Sequence, residues 1–374
     1  MSAPPPRLAE LFRFFSRLGL TAFGGPAAHI ALMEHEAVEQ RSWVSREQFL
    51  DLMGACNLLP GPSSTQVAMA LGYTRAGWAG LATAGACFIL PASVATLALA
   101  WAYVRYGSLP QAQGLLYGAK PVMIAIIVQA IWRLGQMALR RWLLAGVGIA
   151  CFAAVVAGAM PLAVLLAAGV LMALLAQARR LQAPRLRSIA AFMAVGTSAP
   201  STASLVSIVL VFLKLGVVVF GSGYVLLAFL QTDLVDRLHW VTQAQLLDAV
   251  TAGQVTPGPV FATATFLGYL IHGYSGAAAA TAAIFLPSFF MAGLVGALAT
   301  RLRQSPLAAA FLDGVNAASI ALMAAVAITL GRATLVDLPT CGVALISAVL
   351  LIRYKVNATW LIVAGAALGL LMKH

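Results

Sequence analysis

The chain has 374 residues, of which 61% are hydrophobic and only 9% are charged, and its formal net charge is +12. A soluble domain carries about a quarter charged residues, so this composition excludes an ordinary soluble protein and indicates an α-helical membrane protein. Its apolar runs are continuous, which excludes the alternating pattern of a membrane β-barrel. The basic residues lie in short loops between apolar runs, as membrane topology requires, and do not indicate nucleic-acid binding.

The first half predicts five long helices and one divided segment. The divided segment, residues 47–73, is interrupted by Leu59-Pro60-Gly61-Pro62. Each of its two stretches has about a dozen residues and is too short to span a bilayer at about 1.5 Å per residue. It is therefore either a broken helix that crosses once or a hairpin that returns to the same side. The long helices are predicted near 10–33, 76–104, 114–134, 141–158 and 160–176.

The same pattern follows in the second half. Trp43, Asp51 and Pro60 recur at one constant spacing as Trp240, Asp248 and Pro257, the last within Thr256-Pro257-Gly258-Pro259. Two related halves that each carry an interrupted helix are typical of transporters built from repeats. The predicted units are a first repeat over 1–176, a basic linker over 177–208 and a second repeat over 209–374. The second-half helices are predicted near 204–230, 276–300, 307–331, 336–352 and 357–372, with a divided segment at 243–270.

The loop cations help to choose between the two forms of the divided segments. If these segments are re-entrant hairpins, most loop Lys and Arg residues fall on one side, whereas single crossings divide them more evenly. The enrichment of Lys and Arg on the cytoplasmic side favours the hairpins. The sequence thus predicts an all-α polytopic protein of two homologous, inverted repeats, with about 10 transmembrane helices and two Pro-Gly-Pro hairpins or broken helices. Both termini are expected to face outward.

The Pro-Gly-Pro segments are the first candidate binding site. Proline suits the first turn of a helix, so a helix starting near Pro62 would direct free N–H groups and partial positive charge at an anion. The competing interpretation is a proline kink packed against a neighbouring helix. Hydroxyls follow only the first copy, which we therefore expect to contact substrate more. The candidate residues are Asn57, Pro60, Gly61, Pro62, Ser63, Ser64, Thr65, Gln66, Gln254, Pro257, Gly258 and Pro259.

Glycine-rich breaks in the first helix of each half are the second candidate. Unwound backbone in a membrane is tolerated where it faces protein or a watery cavity, although close helix packing also uses small residues. Arg17 and Lys214 precede the two breaks by the same interval, and a cation within a membrane is costly unless it is paired or hydrated. The candidate substrate site therefore gains Arg17, Gly24, Gly25, Pro26, Lys214, Gly221, Ser222 and Gly223.

Titratable residues supply candidates for proton coupling or gating, since a proton-coupled carrier needs a titratable group reachable from both sides. They are His29, Glu34, Glu36, Lys120 and Asp233. Surface ion pairs are the competing interpretation for the acids, and Lys120 could pair with Asp51 or with helix-end carbonyls. We expect neither an enzyme nor an ATP-driven pump, and no cofactor, because the sequence has no phosphate loop or nucleophile–base pair.

The cysteines give no metal or redox signal. Cys56, Cys87, Cys151 and Cys341 are scattered in apolar segments without a CxxC spacing or a histidine partner. They predict buried thiols, and neither disulfides nor a metal site.

On these motifs the chain resembles the two-domain, long-chain branch of the chromate ion transporter family. The resemblance rests on Phe-x-x-Leu-Gly-Leu-Thr-Ala-Phe-Gly-Gly-Pro at 15–26, Trp43-Val44, and Leu-Leu-Pro-Gly-Pro-Ser-Ser-Thr-Gln at 58–66, with counterparts at 220–224 and 255–260. It implies a multi-pass protein of the bacterial inner membrane that exports chromate, coupled to a counter-ion or proton, and gives chromate resistance. The resemblance implies chromate or a sulfate-like oxyanion as partner. The sequence also predicts contact with the lipid bilayer and leaves open a homodimer.

Three other functions stay open. A transporter for sulfate or another oxyanion would use the same site, and an anion channel would join the helix breaks into one continuous pore. A membrane scaffold without transport would be unaffected by changes at either Pro-Gly-Pro.

Overall fold

The computed structural model describes residues 7–23, 25–138, 141–178, 203–220, 223, 225–303 and 305–372, and the regular elements in these ranges are helices. Residues 179–202 of the predicted linker lie outside the described residues. In chain order the α-helices are α1 (Arg7–Thr21), α2 (Pro26–Glu34), α3 (Arg46–Leu58), α4 (Ser63–Tyr106), α5 (Pro110–Ala138), α6 (Trp142–Val156), α7 (Pro161–Ala178), α8 (Leu205–Val218), α9 (Val225–Leu230), α10 (Gln243–Val255), α11 (Thr263–Arg303), α12 (Pro306–Thr334), α13 (Leu338–Arg353) and α14 (Ala358–Met372). The π-helical turns His35–Gln40 and Gln231–Arg237 extend α2 and α9, and a 3₁₀ turn, Val260–Ala262, precedes α11.

The first helix of each half is divided in two. The predictions of one helix over 10–33 and one over 204–230 are wrong, since α1 ends before the first glycine break and α8 ends before the second. Gly25 has a φ of 78°, a left-handed conformation that glycine adopts without steric cost. Pro26 then takes the first helical position, where its missing N–H is not needed. Two adjacent residues thus explain the break, because Gly25 permits a left-handed backbone and Pro26 favours the start of a new helix.

The two arms of each divided helix lie side by side. Arg17 Nη2 is 2.9 Å from Glu36 Oε1, and at the equivalent place Lys214 Nζ is 2.8 Å from Asp233 Oδ2. Each pair is nineteen positions apart in the chain, which corresponds to about 28 Å along a straight helix. The glycine break is therefore the tip of a helical hairpin, and the ion pair holds its arms together.

The first Pro-Gly-Pro segment is also folded back. Its first arm is α3, and its second arm is the start of α4, which leaves helical geometry at Ala76 and Gly77. The backbones of Gly72 and Gly80 contact each other there, although a straight helix would separate them by about 12 Å. Gly268 and Gly276 make the same contact in α11. The second arm of each segment is thus a short helix that reverses into a long one.

A polar cluster around Glu10 lies where the open ends of both hairpins of the first half meet. Glu10 on α1 accepts hydrogen bonds from Trp43 Nε1 at 3.1 Å, Arg75 Nη2 at 3.2 Å and Arg41 Nη1 at 3.4 Å. Trp43 precedes α3, and Arg75 ends the short first part of α4. The segment between them therefore begins and ends at the same place.

The long helices of each half pack against helices of the other half. Helix α5 of the first half packs against α13 and α14, and its counterpart α12 packs against α6 and α7. The backbone of Gly118 near the start of α5 contacts that of Gly365 and Gly369 near the end of α14, and Gly314 contacts Ala168 in the same way. The absence of side chains at these glycines allows the close approach.

The apolar helices account for the composition. Five of the described helical segments are long and apolar enough to cross a membrane: Ser63–Tyr106, Pro110–Gln136, Pro161–Ala178, Val260–Val295 and Pro306–Thr334. Helices α6, α8, α13 and α14 are shorter and also apolar. The surface exposes many large hydrophobic side chains, such as Trp142 and Leu338, as a lipid solvent permits. The protein is a multi-pass α-helical membrane protein.

All four cysteines are free thiols. Cys56, Cys87 and Cys151 are buried, whereas Cys341 is exposed on α13. The prediction of a buried thiol is therefore wrong for Cys341, because an apolar segment in a membrane protein also has a face that points away from the core.

Candidate functional site: the junction of the helix tips

The four helix breaks meet at one place. The backbone N–H of Gly61 donates to Val219 O at 2.7 Å, and that of Gly258 donates to Ala22 O at 3.0 Å. Each Pro-Gly-Pro tip thus binds the glycine break of the other half. Gly61 and Gly258 have φ values of 113° and 94°, which explains the glycine in each tip. We call the region around these four residues the tip junction.

The first turn of α4 is buried at the tip junction. Ser63, Ser64, Thr65 and Gln66 are all buried, and Gln66 Nε2 donates to Pro60 O at 2.5 Å. Thr65 Oγ1 and Gln66 Oε1 have no hydrogen-bond partner within the described part of the chain. An unpartnered buried polar group costs about 1–3 kcal/mol. A bound anion would satisfy the open hydroxyl donor at this helix N-terminus, and a water molecule could donate to the open amide oxygen.

The second tip is less polar. Val260 and Phe261 occupy the positions after its Pro-Gly-Pro and are buried, and the first turn there is 3₁₀ rather than α. Gln254 is buried and its Nε2 has no partner among the described residues, whereas the equivalent Asn57 is exposed. Thr256 Oγ1 lies 3.2 Å from the hydroxyl of Thr96. The tip junction is therefore symmetric in its backbone contacts and unequal in its side chains.

His29 lies inside the tip junction. Its side chain is fully buried, with Nε2 3.1 Å from Ala22 O and Nδ1 3.5 Å from Ser64 Oγ. The Phe88 ring packs edge-on against the imidazole, with 5.2 Å between the ring centroids. Among the predicted coupling residues described by the structure, His29 is the one brought against the tips.

The predicted cations and acids form ion pairs away from the tips. Glu36 binds Arg41 at 3.2 Å in addition to Arg17, and Asp233 binds Arg237 at 3.3 Å in addition to Lys214. Glu34 pairs with Arg46 at 3.4 Å. Arg17 and Lys214 therefore form ion pairs that join the two arms of their hairpins. Their described contacts do not include a tip residue.

Lys120 reaches across to the second half. Its Nζ is 3.0 Å from Asp248 Oδ1, and Tyr103 Oη donates to Asp248 Oδ2 at 3.0 Å. The predicted alternative, Asp51, is wrong as the partner of Lys120, because α5 packs against elements of the other half. The pair lines a cleft of about 610 Å³ together with Tyr117 and residues of α12.

A second tyrosine–carboxylate pair lies at the rim of this cleft. Tyr117 Oη donates to Asp337 Oδ2 at 2.6 Å, and Asp337 caps the N-terminus of α13. The hydrogen bonds from Tyr117 and from the backbone N–H of Thr340 hold the pKa of Asp337 below its ordinary value. The carboxylate is therefore the stable form of Asp337 in the folded protein.

The remaining predicted residues have varied positions. Gly25 and Gly223 are buried beside the breaks and Pro26 is half-buried. Gly24, Gly221 and Ser222 lie outside the described residues. Within the ranges that the structure describes, no group of His, Cys, Asp or Glu side chains could hold a metal ion.

Two polar residues at the tip junction were not predicted. Ser288 Oγ lies beside Gly61 and has no partner among the described side chains, and Thr96 contacts the second tip. Both follow a helix proline, Pro91 or Pro287, that occupies the equivalent place in each half. The proline that recurs at the equivalent place in each half was the sequence feature that could have identified Thr96 and Ser288.

Paired helical hairpins whose tips meet across two repeats define a membrane transporter of the repeat type. The family model for the chromate transporter matches residues 9–174 and again 206–370. The chain therefore belongs to the chromate transporter family, which confirms the resemblance seen in its motifs. Since members of this family are transporters, the expectation that the chain is not an enzyme also holds.

Relatives match along almost the whole chain. The chromate transport proteins of Cupriavidus metallidurans and Pseudomonas aeruginosa are 34% and 33% identical, over 98% and 99% of this chain and 93% of each relative. The uncharacterized transporter YwrA of Bacillus subtilis is 32% identical over 33% of this chain and 70% of its own length. No solved structure matches significantly.

Proposed function

We propose that this protein is a secondary transporter that exports chromate across the bacterial inner membrane, with the oxyanion bound at the tip junction. The observation that carries the proposal is the convergence of both Pro-Gly-Pro tips on the opposite glycine breaks, beside buried donors that have no partner within the described part of the chain. The names of the relatives support chromate as substrate. Sulfate has the same charge and tetrahedral shape and is the nearest alternative.

The proposed topology has re-entrant hairpins and inverted repeats. Its support is that both hairpins of the first half open at the Glu10 cluster, that the start of α5 meets the end of α14, and that Gly314 near the start of α12 meets Ala168 and Met172 in the second half of α7. If α4 to α7 each cross the membrane once in alternating directions, these contacts require that equivalent helices of the two halves cross the membrane in opposite directions. Alternating access would then arise by exchange between two pseudo-symmetric arrangements around the tip junction.

This topology also assigns the two faces. In this topology, one membrane face lies at the Glu10 cluster and receives Arg7, Arg13, Arg41, Arg46, Arg75, Arg133, Arg141, Arg353 and Lys355. The opposite face receives Arg105, Arg237 and Arg332. The positive-inside rule makes the first face cytoplasmic. The start of α1 is then cytoplasmic, contrary to the outward terminus expected from sequence, because the hairpin of α1 and α2 replaces a crossing.

The charge of the substrate supplies a driving force. A dianion that leaves a cell with an inside-negative potential gains about 4.6 kcal/mol per 100 mV, since each elementary charge contributes about 2.3 kcal/mol. The site must therefore bind the anion weakly enough to release it. Helix N-termini and hydroxyls suit this need better than a fixed cation in contact with the anion.

The test uses purified protein in liposomes. Counterflow, in which unlabelled chromate inside drives transient uphill uptake of labelled chromate without a membrane potential, is expected for a carrier. An open anion channel gives flux without counterflow, and a scaffold gives neither. Sulfate replaces chromate in a parallel series to rank the two substrates.

The site is tested by Thr65→Val, with Thr83→Val on the same helix as the matched control. Thr65 Oγ1 is buried and has no hydrogen-bond partner among the described residues, whereas Thr83 is partly exposed and donates to Ala79 O. A hydrogen bond to a charged group contributes about 1.5–3 kcal/mol, so T65V should lower chromate affinity by about 10- to 100-fold. Equal chromate affinity in the two variants would contradict a binding role for Thr65.

A further inference from the structure

We propose that His29 takes up a proton when the oxyanion binds, so that proton and anion bind to the tip junction together. The proposal rests on the proposed function and names the group that makes the site respond to pH. Its starting point is the position of His29, which contacts the break of its own half and the first turn of α4.

The hydrogen bonds of the ring assign its neutral tautomer. Nε2 faces Ala22 O, and because a carbonyl oxygen only accepts, Nε2 carries the hydrogen. The same carbonyl accepts the N–H of Gly258 from the other half. The imidazole is therefore fixed at the contact between the two halves, and its second nitrogen, Nδ1, is the acceptor.

Nδ1 faces the candidate anion site. Its distance of 3.5 Å from Ser64 Oγ exceeds the usual 2.7–3.2 Å of a hydrogen bond, so this nitrogen is not well satisfied. It points toward the first turn of α4, where Thr65 Oγ1 and Gln66 Oε1 also have no partner among the described residues. A proton on Nδ1 would give this turn one more donor and a positive charge.

The charge of the turn determines when that proton binds. The N-terminus of α4 carries partial positive charge, so a buried imidazolium beside it is unfavourable alone. A dianion bound beside both of them attracts both, which makes proton binding and anion binding mutually favourable. Leu226 occupies the position of His29 in the second half and is buried, so the repeat offers one such group at this place.

Many of the other charged groups on the surrounding elements are paired with one another. On α1, α2, the turn after α2 and α4, the ion pairs are Glu10 with Arg41 and Arg75, Glu36 with Arg17 and Arg41, Glu34 with Arg46 of α3, and His35 with Glu39. The cations Arg7 and Arg13 on α1 and Arg105 at the end of α4 are exposed. Cys87 precedes Phe88 on α4 and its thiol is buried. A thiol does not become cationic, so it cannot replace the imidazole.

The experiment measures protons and anions together. Purified protein in detergent receives sulfate or chromate in weakly buffered solution with a pH indicator, over pH 6 to 8. The wild type should take up a proton with each bound anion, and its affinity should rise by up to tenfold per pH unit as pH falls. His29→Gln keeps an N–H donor for Ala22 O but should show no proton uptake and no pH dependence beyond that of the anion itself.

His35→Gln is the matched control, because His35 is exposed on the turn after α2 and pairs with Glu39. It should behave as the wild type. Since chromate itself binds protons near this pH range, the comparison between variants at each pH removes that contribution. Absence of proton uptake by the wild type, or unchanged pH dependence in H29Q, would overturn the proposal for His29 even if transport is normal. Failure of the wild type to bind or move either oxyanion would instead refute the proposed function.

Discussion

Removal of Lys120 should destabilise the protein more than removal of its partner Asp248. The side chain of Asp248 is 3% exposed and that of Lys120 is 23% exposed. In Lys120→Met the buried carboxylate keeps the hydroxyl of Tyr103 and loses its cation. In Asp248→Asn the ammonium can turn toward the cleft and remain hydrated. The two substitutions therefore break the same contact with different consequences.

The structure sets the size of each effect. Breaking a buried ion pair from one side costs about 3–5 kcal/mol when the remaining charge stays buried. Lys120→Met should fall near the lower end of this range, at about 3 kcal/mol, because Tyr103 still donates to Asp248. Asp248→Asn should cost about 1.5–2 kcal/mol, the lower part of the range of about 1.5–3 kcal/mol for a hydrogen bond to a charged group, because the freed ammonium can still be hydrated. Both substitutions loosen the contact between α5 and α10.

Unfolding in detergent, followed by tryptophan fluorescence, measures these differences. The double variant completes a thermodynamic cycle, and the coupling energy should be about 1–3 kcal/mol. The exchanged variant Lys120→Asp/Asp248→Lys should recover part of the loss. Arg332→Met, exposed near the same cleft, is the control and should change stability by less than about 0.5 kcal/mol. A larger loss in D248N than in K120M, or additive effects within about 0.5 kcal/mol, would refute the reasoning.

Two further substitutions test the hairpin turn and the helix cap. Gly72→Ala should cost about 3 kcal/mol and lower the yield of folded protein in detergent chromatography, because its Cβ would meet the backbone of Gly80. Gly54→Ala, where a Cβ meets nothing within 4 Å, should be neutral or slightly stabilising, and equal yields would contradict the tight turn. Asp337→Asn should lower the thermal midpoint at neutral pH, since the lowered pKa of Asp337 means that its charged form stabilises the fold. That difference should persist above about pH 3.9 and shrink as pH falls through the lowered pKa of the folded state, so a difference independent of pH would argue against the Tyr117 contact.

Much of the site could be predicted from sequence because it is built from local backbone chemistry. The glycines and prolines of the breaks act on their own φ angles, so Gly25-Pro26 and Gly61-Pro62 mark interruptions in any context. Comparison of the halves also revealed that the hydroxyl run follows one tip and not the other. The structure describes the same inequality, with Ser64 and Thr65 buried at the first tip and Val260 and Phe261 at the second.

The path of the chain at each break could not be predicted in this way. A glycine break permits a kink, a crossing or a reversal, and the choice depends on contacts between residues distant in sequence. The contact of Glu10 with Trp43 and Arg41, and of Arg17 with Glu36, selects the reversal. These residues were visible as charges, but their partners were not.

The sequence by itself determined that this is a repeat-built membrane protein with four helix interruptions, because composition, periodicity and backbone preference are properties of short segments. Only the tertiary structure decided which interruptions meet and which charges pair. Asp51 and Asp248 hold equivalent places in the two repeats, so nothing in the sequence distinguishes them as partners for Lys120. The packing of α5 on the opposite half brings Asp248 within 3.0 Å, and the close approach of glycine backbones makes that packing available.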